Sequence, residues 1–366
     1  MKAKRIIQAM DKWVPSKLID SWDNTGFQIG DEEREVKKVL VALDLDRPTL
    51  KKAIEENYQM VITHHPLIFK PLNRINSKDY TGRLIMDIIK NDIVVYNAHS
   101  NLDMAIDGVN DELANIFNLK DSKILRKVYH DELVKLAVYT PKDYADQIRF
   151  ALGNSGAGHI GNYSHCTFNS DGIGTFLPTA DAKPYIGKVG TLEKVEEVKV
   201  ESILKREDLS HILAEVKKAH PYEEVAYDVY PLLNEGTAYG YGRVGYIEET
   251  EAEEFIYQVK DKLKVSDLTA YGNIDGTVSK VALCGGSGSN FIYDAHKAKA
   301  DIYITGDLKY HDAQLAQELG MILLDAGHFH TEKIILPVIK KYLLEKLGEE
   351  LSIKVLMESS LPEKTY

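Results

Sequence analysis

Two adjacent imidazoles, His64 and His65, stand between the apolar run Val61-Ile62-Thr63 and Pro66. Proline lacks an N–H and holds the residue before it extended, so the pair falls where a strand stops. Side chains alternate across an extended backbone. The two rings are therefore expected to face opposite ways, which is poor for chelating one ion together and good for serving two neighbouring ions, one imidazole each. An isolated His-His pair is equally well read as two solvated side chains, so the surrounding groups decide. His99 and Asp103 follow the apolar run Ile93-Val94-Val95-Tyr96, Asp307 and His311 follow Ile302-Tyr303-Ile304-Thr305, and His328 and Glu332 follow Ile322-Leu323-Leu324. If helical geometry begins near His328, then His328 and Glu332 share a face at i, i+4 while His330 points elsewhere. Three imidazoles and two carboxylates from this set suffice for a two-metal site if the carboxylates bridge. Imidazole with carboxylate suits zinc, iron or manganese and needs no thiolate. Two such ions, ~3.5–4 Å apart, share a water and lower its pKa, which is hydrolytic chemistry.

For these groups to meet, their segments must end at one sheet rim. Val36 to Leu45 and Tyr58 to Ile62 read as strands joined by a helix from Pro48 to Asn57. A helix from Thr81 to Asn91 then leads to the strand Asp92 to Tyr96. That β-α-β order predicts parallel strands with right-handed crossovers, and open parallel sheets gather ligand groups beyond the carboxyl ends of their strands. A helix from Lys2 to Lys12 precedes them, and Trp22-Asp23-Asn24-Thr25-Gly26-Phe27 reads as a tight turn. In the last third, strands at 280–284, 301–305 and 320–324 alternate with helices at 251–263 and 291–300. Gly285, Gly286 and Ser287, between a strand and a helix, are candidates for holding an anion through backbone N–H groups. Close helix–strand packing explains them equally well, and the Walker lysine and the full dinucleotide fingerprint are both missing.

The middle of the chain has another character. A strand at 133–139, a helix at 142–154, a pair of strands around 163–177, a strand at 195–204, a helix at 209–219 and a strand at 224–232 give β-α-β-β-α-β with one extra strand, the ferredoxin-like order. Gly153 to Gly158 follows a helix and reads as a solvated loop. His220-Pro221-Tyr222-Glu223-Glu224 has a ligand-like look that a helix stop also explains. Gly236 to Gly245, rich in Gly and Tyr, reads as a return linker. The expected organisation is an α/β core with a mostly parallel sheet flanked by helices. Residues 1–128 supply its first half and 239–366 its second, around an inserted α+β domain at 129–238.

Composition bounds the function. The chain has 366 residues, 44% hydrophobic and 28% charged, with a formal net charge of −11. The acidic surplus is spread out, which argues against sequence-independent nucleic-acid or anionic-membrane binding. Cys166 and Cys284 are too few for a disulfide framework and fit a reducing compartment. The N-terminus lacks an apolar core of signal-peptide length, and no run approaches the ~20 apolar residues of a membrane span. A cytoplasmic protein is expected.

Trp22-Asp23-Asn24-Thr25-Gly26-Phe27, Thr63-His64-His65-Pro66, His99-Ser100-Asn101-Leu102-Asp103, Thr305-Gly306-Asp307 and Gly327-His328 with Thr331-Glu332, in this order, resemble the GTP cyclohydrolase I type 2 homologue family. These are the NGG-interacting-factor-like dinuclear metal proteins. The middle segment resembles the PII/CutA-like insertion of the family's long bacterial form. The resemblance implies that His64, His65, Asp103, His328 and Glu332 ligate two divalent ions per chain, zinc first and iron or manganese as alternatives, with Asp103 and Glu332 as bridges. It also implies a toroidal homohexamer. The activity implied is hydrolysis of a nucleotide or related small molecule, metal-bound hydroxide attacking the purine ring while His99 or His311 shuttles protons. The alternative is a non-catalytic metal-binding or regulatory protein whose inserted domain senses a small ligand.

Overall fold

The computed structural model describes residues Met1–Glu358. They form two compact units: Met1–Tyr129 together with the chain from Tyr239 onward, and His130–Ala238.

The first unit carries two sheets rather than the single sheet expected. One has the spatial order Gly26–Ile29, Val94–Asn97, Met60–Thr63, Lys38–Ala42, Ser352–Val355. The last four are mutually parallel, and Gly26–Ile29 runs antiparallel at the edge. Every residue of Met60–Thr63 and Val94–Asn97 is buried, because a parallel sheet covered on both faces needs continuous apolar strands. Val39, Val41, Met60 and Ile62 pack into one core with Ile6, Met10, Ile335 and Ile339 of the helices Ala3–Trp13 and Ile335–Leu347. Their neighbours Leu40 and Val61 turn to the opposite core with Leu50, Leu84 and Ile88, from the helices Arg47–Glu55 and Tyr80–Lys90. Asp46 caps the first of these, its side chain accepting the Thr49 N–H at 2.9 Å.

The second sheet runs Thr269–Tyr271, Ile322–Asp325, Ile302–Gly306, Thr277–Ser287, Ala238–Glu251, Lys120–His130. The three strands 322–325, 302–306 and 277–287 are parallel to one another, and Thr269–Tyr271 and Ala238–Glu251 flank them antiparallel. The segment expected to be a linker, 236–245, lies mostly in the strand Ala238–Glu251. Its glycines are there because neighbouring backbone comes too close for a side chain: a Cβ on Gly245 would sit 2.8 Å from the Lys120 carbonyl, and one on Gly240 would overlap that of Arg126.

In the second unit, strands Leu133–Pro141, Phe168–Phe176, Glu193–Lys205 and Tyr227–Pro231 form an antiparallel sheet. Its spatial order is second, third, first, fourth. With helices Ala145–Asn154 and Leu209–Ala219 in the first and second crossovers, this is the β-α-β-β-α-β arrangement. The extra strand near Tyr163 does not form. Ile160 and Tyr163 make only an isolated bridge, since the intervening glycine-turn geometry leaves no run long enough to pair.

Candidate metal centre

The site grows from strand ends. Met60–Thr63 finishes at Thr63, whose hydroxyl donates to the His65 carbonyl at 2.8 Å and bends the chain. Strict alternation therefore fails beyond Thr63. The His64 and His65 rings are not opposed but neighbours, 5.1 Å apart and inclined by 45°. Val94–Asn97 ends just before His99, which opens the short helix Ser100–Met104 that carries Asp103. Ile322–Asp325 ends before Gly327, whose φ of 77° turns the chain into the helix His328–Glu332. There His328 and Glu332 share a face as their spacing requires, the His328 Nε2 lying 3.0 Å from a Glu332 oxygen.

Each ring is fixed from behind. The His64 Nδ1–H donates to the Ala98 carbonyl at 2.7 Å. His65 Nδ1 is 2.8 Å from Asp44, His328 Nδ1 is 2.7 Å from Asp307, and His99 Nδ1 is 2.9 Å from Asp23. An outer partner on Nδ1 sets the tautomer and leaves Nε2 as the ligand atom, as around metal-bound histidines. The Nε2 atoms converge on Glu332: its Oε1 is 3.6 Å from His64, and its Oε2 is 2.9 Å from His65. Asp103 Oδ1 is 3.6 Å from His64 Nε2. Three overlapping donor groups result: His65, His328 and Glu332; His64, Asp103 and Glu332; and His64, His65 and His99. Glu332 belongs to two of them, one oxygen to each, which is the placement of a bridging carboxylate. Asp103 belongs to one.

The residues fit a cation. His64 Nε2 and Asp103 Oδ1 are buried without a hydrogen-bond partner, a costly arrangement for lone-pair donors unless a positive ion sits between them. The electrostatics agree. Burial alone would lower the pKa of His64, but the Glu332 and Asp103 carboxylates turn the shift upward. Burial likewise opposes protonation of His65 and His328, yet Asp44 and Glu332 push His65 up to about 10, while Glu332 and Asp307 push His328 up to about 9. Burial would raise Glu332, but the surrounding imidazoles hold it well below its ordinary value; Asp103 is raised, chiefly by burial. Protons are drawn to the places a cation would take.

His99 completes the rim. Its partner Asp23 is fully enclosed and also accepts from the Ser100 hydroxyl at 2.6 Å and the Thr25 hydroxyl at 2.7 Å. Burial raises the Asp23 pKa, and these bonds overturn it, leaving a firmly ionised carboxylate. The rings of Trp22 and Phe69, 57% and 43% exposed, stand 5.9 and 6.4 Å from His99. Asp23 and Asp44 were not singled out by the sequence as ring anchors. The available signal for Asp44 was its place at the end of a strand, the same place His64 and His99 occupy.

Of the other expected participants, His311 lies elsewhere and the glycine segment borders the cluster. His311 is exposed and hydrogen-bonds Gln314 within its own helix, Tyr310–Glu318, outside all three donor groups. Gly285, Gly286 and Ser287 end the strand Thr277–Ser287 instead of forming an anion loop. The Gly285 N–H donates to Asn110 and the Gly286 N–H to Thr331, each at 3.0 Å, so neither is free for phosphate. Gly286 has φ +64° and abuts the cluster: a Cβ there would overlap Glu332 Oε1 and come within 3.4 Å of His328 Nε2. In the second unit, His220 is structural, bonded to the Tyr139 carbonyl at 2.9 Å and to the Tyr222 N–H at 3.1 Å.

An α/β protein with a partly buried histidine–carboxylate cluster at the carboxyl ends of its parallel strands is the class that fold and site define. The chain belongs to the Duf34/NIF3 (NGG1p interacting factor 3) family, whose model matches residues 1–362. It is 45% identical over 336 residues to a Bacillus subtilis (strain 168) protein named GTP cyclohydrolase 1 type 2 homolog, covering 92% of this chain and 90% of that one. A namesake from Halalkalibacterium halodurans is 43% identical, over 93% of this chain and 92% of that one. Among solved structures, the Bacillus cereus protein related to NIF3 superimposes with a TM-score of 0.93 at 39% identity, covering 100% of this chain and 99% of that one. No helix among the described residues is long and apolar enough to cross a membrane.

Proposed function

We propose that this protein is a metal-dependent hydrolase of a nucleotide or related heterocyclic small molecule. In this reading His64, Asp103 and Glu332 hold one divalent ion and His65, His328 and Glu332 hold a second, zinc being the first choice and iron or manganese the alternatives. The observation that carries it is the convergence of imidazole Nε2 atoms on the two oxygens of Glu332, each ring locked through Nδ1. When bound, two such ions supply Lewis acidity and a water of lowered pKa.

The chain's own residues do the rest. Asp23 holds the His99 Nδ1–H and so keeps Nε2 directed at the cluster, where it can take or return a proton. The exposed faces of Trp22 and Phe69 beside His99 offer a planar base a surface to lie against, and their apolar bulk excludes water on that side. Purine-ring hydrolysis is the specific reaction favoured by the name its relatives carry. The test is metal analysis paired with turnover of a nucleotide panel, on wild type, His64→Ala and Asp103→Ala. About two ions per chain, with turnover lost in both variants, supports the proposal. Undiminished turnover by metal-free protein refutes it.

A second reading is a non-catalytic metal-binding or regulatory protein. Readily exchanged ions with no turnover across the panel would select it. On either reading we infer a cytoplasmic toroidal homohexamer with a PII/CutA-like insert, to be tested by light scattering of the purified chain.

A further inference from the structure

The second unit contains a cavity of about 330 Å³ at one end of its sheet, walled by the segment after Phe168–Phe176 and by the turn before Tyr227–Pro231. This is the lower end of the range for small-molecule sites. Four aromatic side chains line it: Tyr139, Phe176, Tyr185 and Tyr222. Tyr222 is central, its ring 5.9 Å from Phe176 at 63° and 6.5 Å from Tyr185 at 51°. The rings are thus turned toward a common space at different angles instead of stacking into a closed core.

The charge of the lining is one-sided. Glu197, Glu223 and Glu224 line the cavity, and among the described residues no Lys, Arg or His does. Two of these carboxylates are held in place. Glu197 accepts the Tyr222 hydroxyl at 3.1 Å and lies across Gly174, where any side chain would collide with it; Glu223 accepts the Lys183 N–H at 3.2 Å. Aromatic faces attract a cation through their quadrupoles, and fixed carboxylates beside them add a point charge of the same preference. An anion meets repulsion from three sides, and a neutral apolar molecule gains nothing from the carboxylates.

We infer that this cavity binds a small organic cation, an ammonium group carried on an apolar body of about one ring or a short alkyl chain. The site belongs to the second unit and stands whether or not the metal centre turns a substrate over.

The experiment is calorimetric titration of the full chain with phenethylammonium and tetraethylammonium. The neutral 2-phenylethanol and the anionic 3-phenylpropionate serve as isosteric comparators. The expected result is one site per chain for at least one of the cations, at least about tenfold tighter than 2-phenylethanol, with 3-phenylpropionate silent. Glu197→Gln and Tyr185→Ala should each weaken the cation several-fold. Tyr185 is 55% exposed, so its loss leaves the fold intact. Metal content should be the same in both variants. Failure of both cations to bind, binding no tighter than that of 2-phenylethanol, or unchanged affinity in both variants would overturn the inference.

Discussion

Substituting Gly286→Ala separates the metal centre from the fold that carries it. The residue has φ +64°, and its added methyl would collide with Glu332 Oε1, the oxygen that faces His64. Two costs are therefore present: left-handed backbone in a residue with a Cβ, about 1–2 kcal/mol, and displacement of a carboxylate. Gly320→Ala isolates the first, since Gly320 has nearly the same φ, +67°, with open space where its Cβ would be. Both variants should lose similar thermal stability when metal-free, with extra loss in Gly286→Ala only as far as Glu332 resists moving. Metal affinity should divide them. Ligand distances are tolerated within about 0.2 Å, and the collision demands a larger retreat. Gly286→Ala should bind zinc at least about tenfold more weakly than Gly320→Ala, the lower end of what disturbing a ligand's support costs, or about 1.4 kcal/mol. Titration of the apo-proteins against a competing chelator reads this, with calorimetry of the same samples for stability. Equal zinc affinity in the two variants would show that Glu332 is not a ligand held where Gly286 meets it.

Zinc uptake should strengthen as pH rises from 6 to 8, because His65 and His328, raised to about 10 and about 9, must lose protons to bind; protons released on titration in two buffers measure it. Metal-free protein should behave oppositely. Groups whose folded pKa is raised contribute stability that is present below about 6.5 and lost as pH climbs through 9 to 10, which chemical denaturation at pH 6 and pH 10 checks. Asp23→Asn should leave zinc content unchanged and cost about 1–3 kcal/mol by disturbing an enclosed acceptor of several hydrogen bonds. It should also shift the pH profile of any turnover, and an unaltered profile would remove His99 from proton transfer. His311→Ala, at an exposed residue outside the donor groups, should change neither metal content nor stability by more than about 0.5 kcal/mol.

The parts of the site legible in the sequence are those written in short-range pattern. His64, His99 and His328 each follow a run of apolar residues buried on both faces, so their place beyond a strand could be read directly. The i, i+4 pair His328 and Glu332 needed only one helical turn. What escaped depends on contacts distant in the chain. Lys120–His130 is a strand with hardly a buried side chain, so it has no apolar alternation to announce it. The glycines of Ala238–Glu251 look like a linker until Arg126 and Lys120 are known to lie against them. Asp23 reads in the sequence as a turn residue only, since its partner His99 is 76 positions away. The Gly285–Gly286 pair has the composition of an anion loop, and only the side chains of Asn110 and Thr331 reveal that its amides are taken.

His65 meets His328 and Glu332 across 263 and 267 positions of chain, with all of His130–Ala238 lying between. During synthesis, the early segment emerges with its imidazoles and Asp103 but without the carboxylate that joins the two donor groups. The two donor groups that include Glu332 can therefore assemble only after the short helix His328–Glu332 has left the ribosome. A product truncated before Gly327 would lack His328 and Glu332, and with them two of the three donor groups.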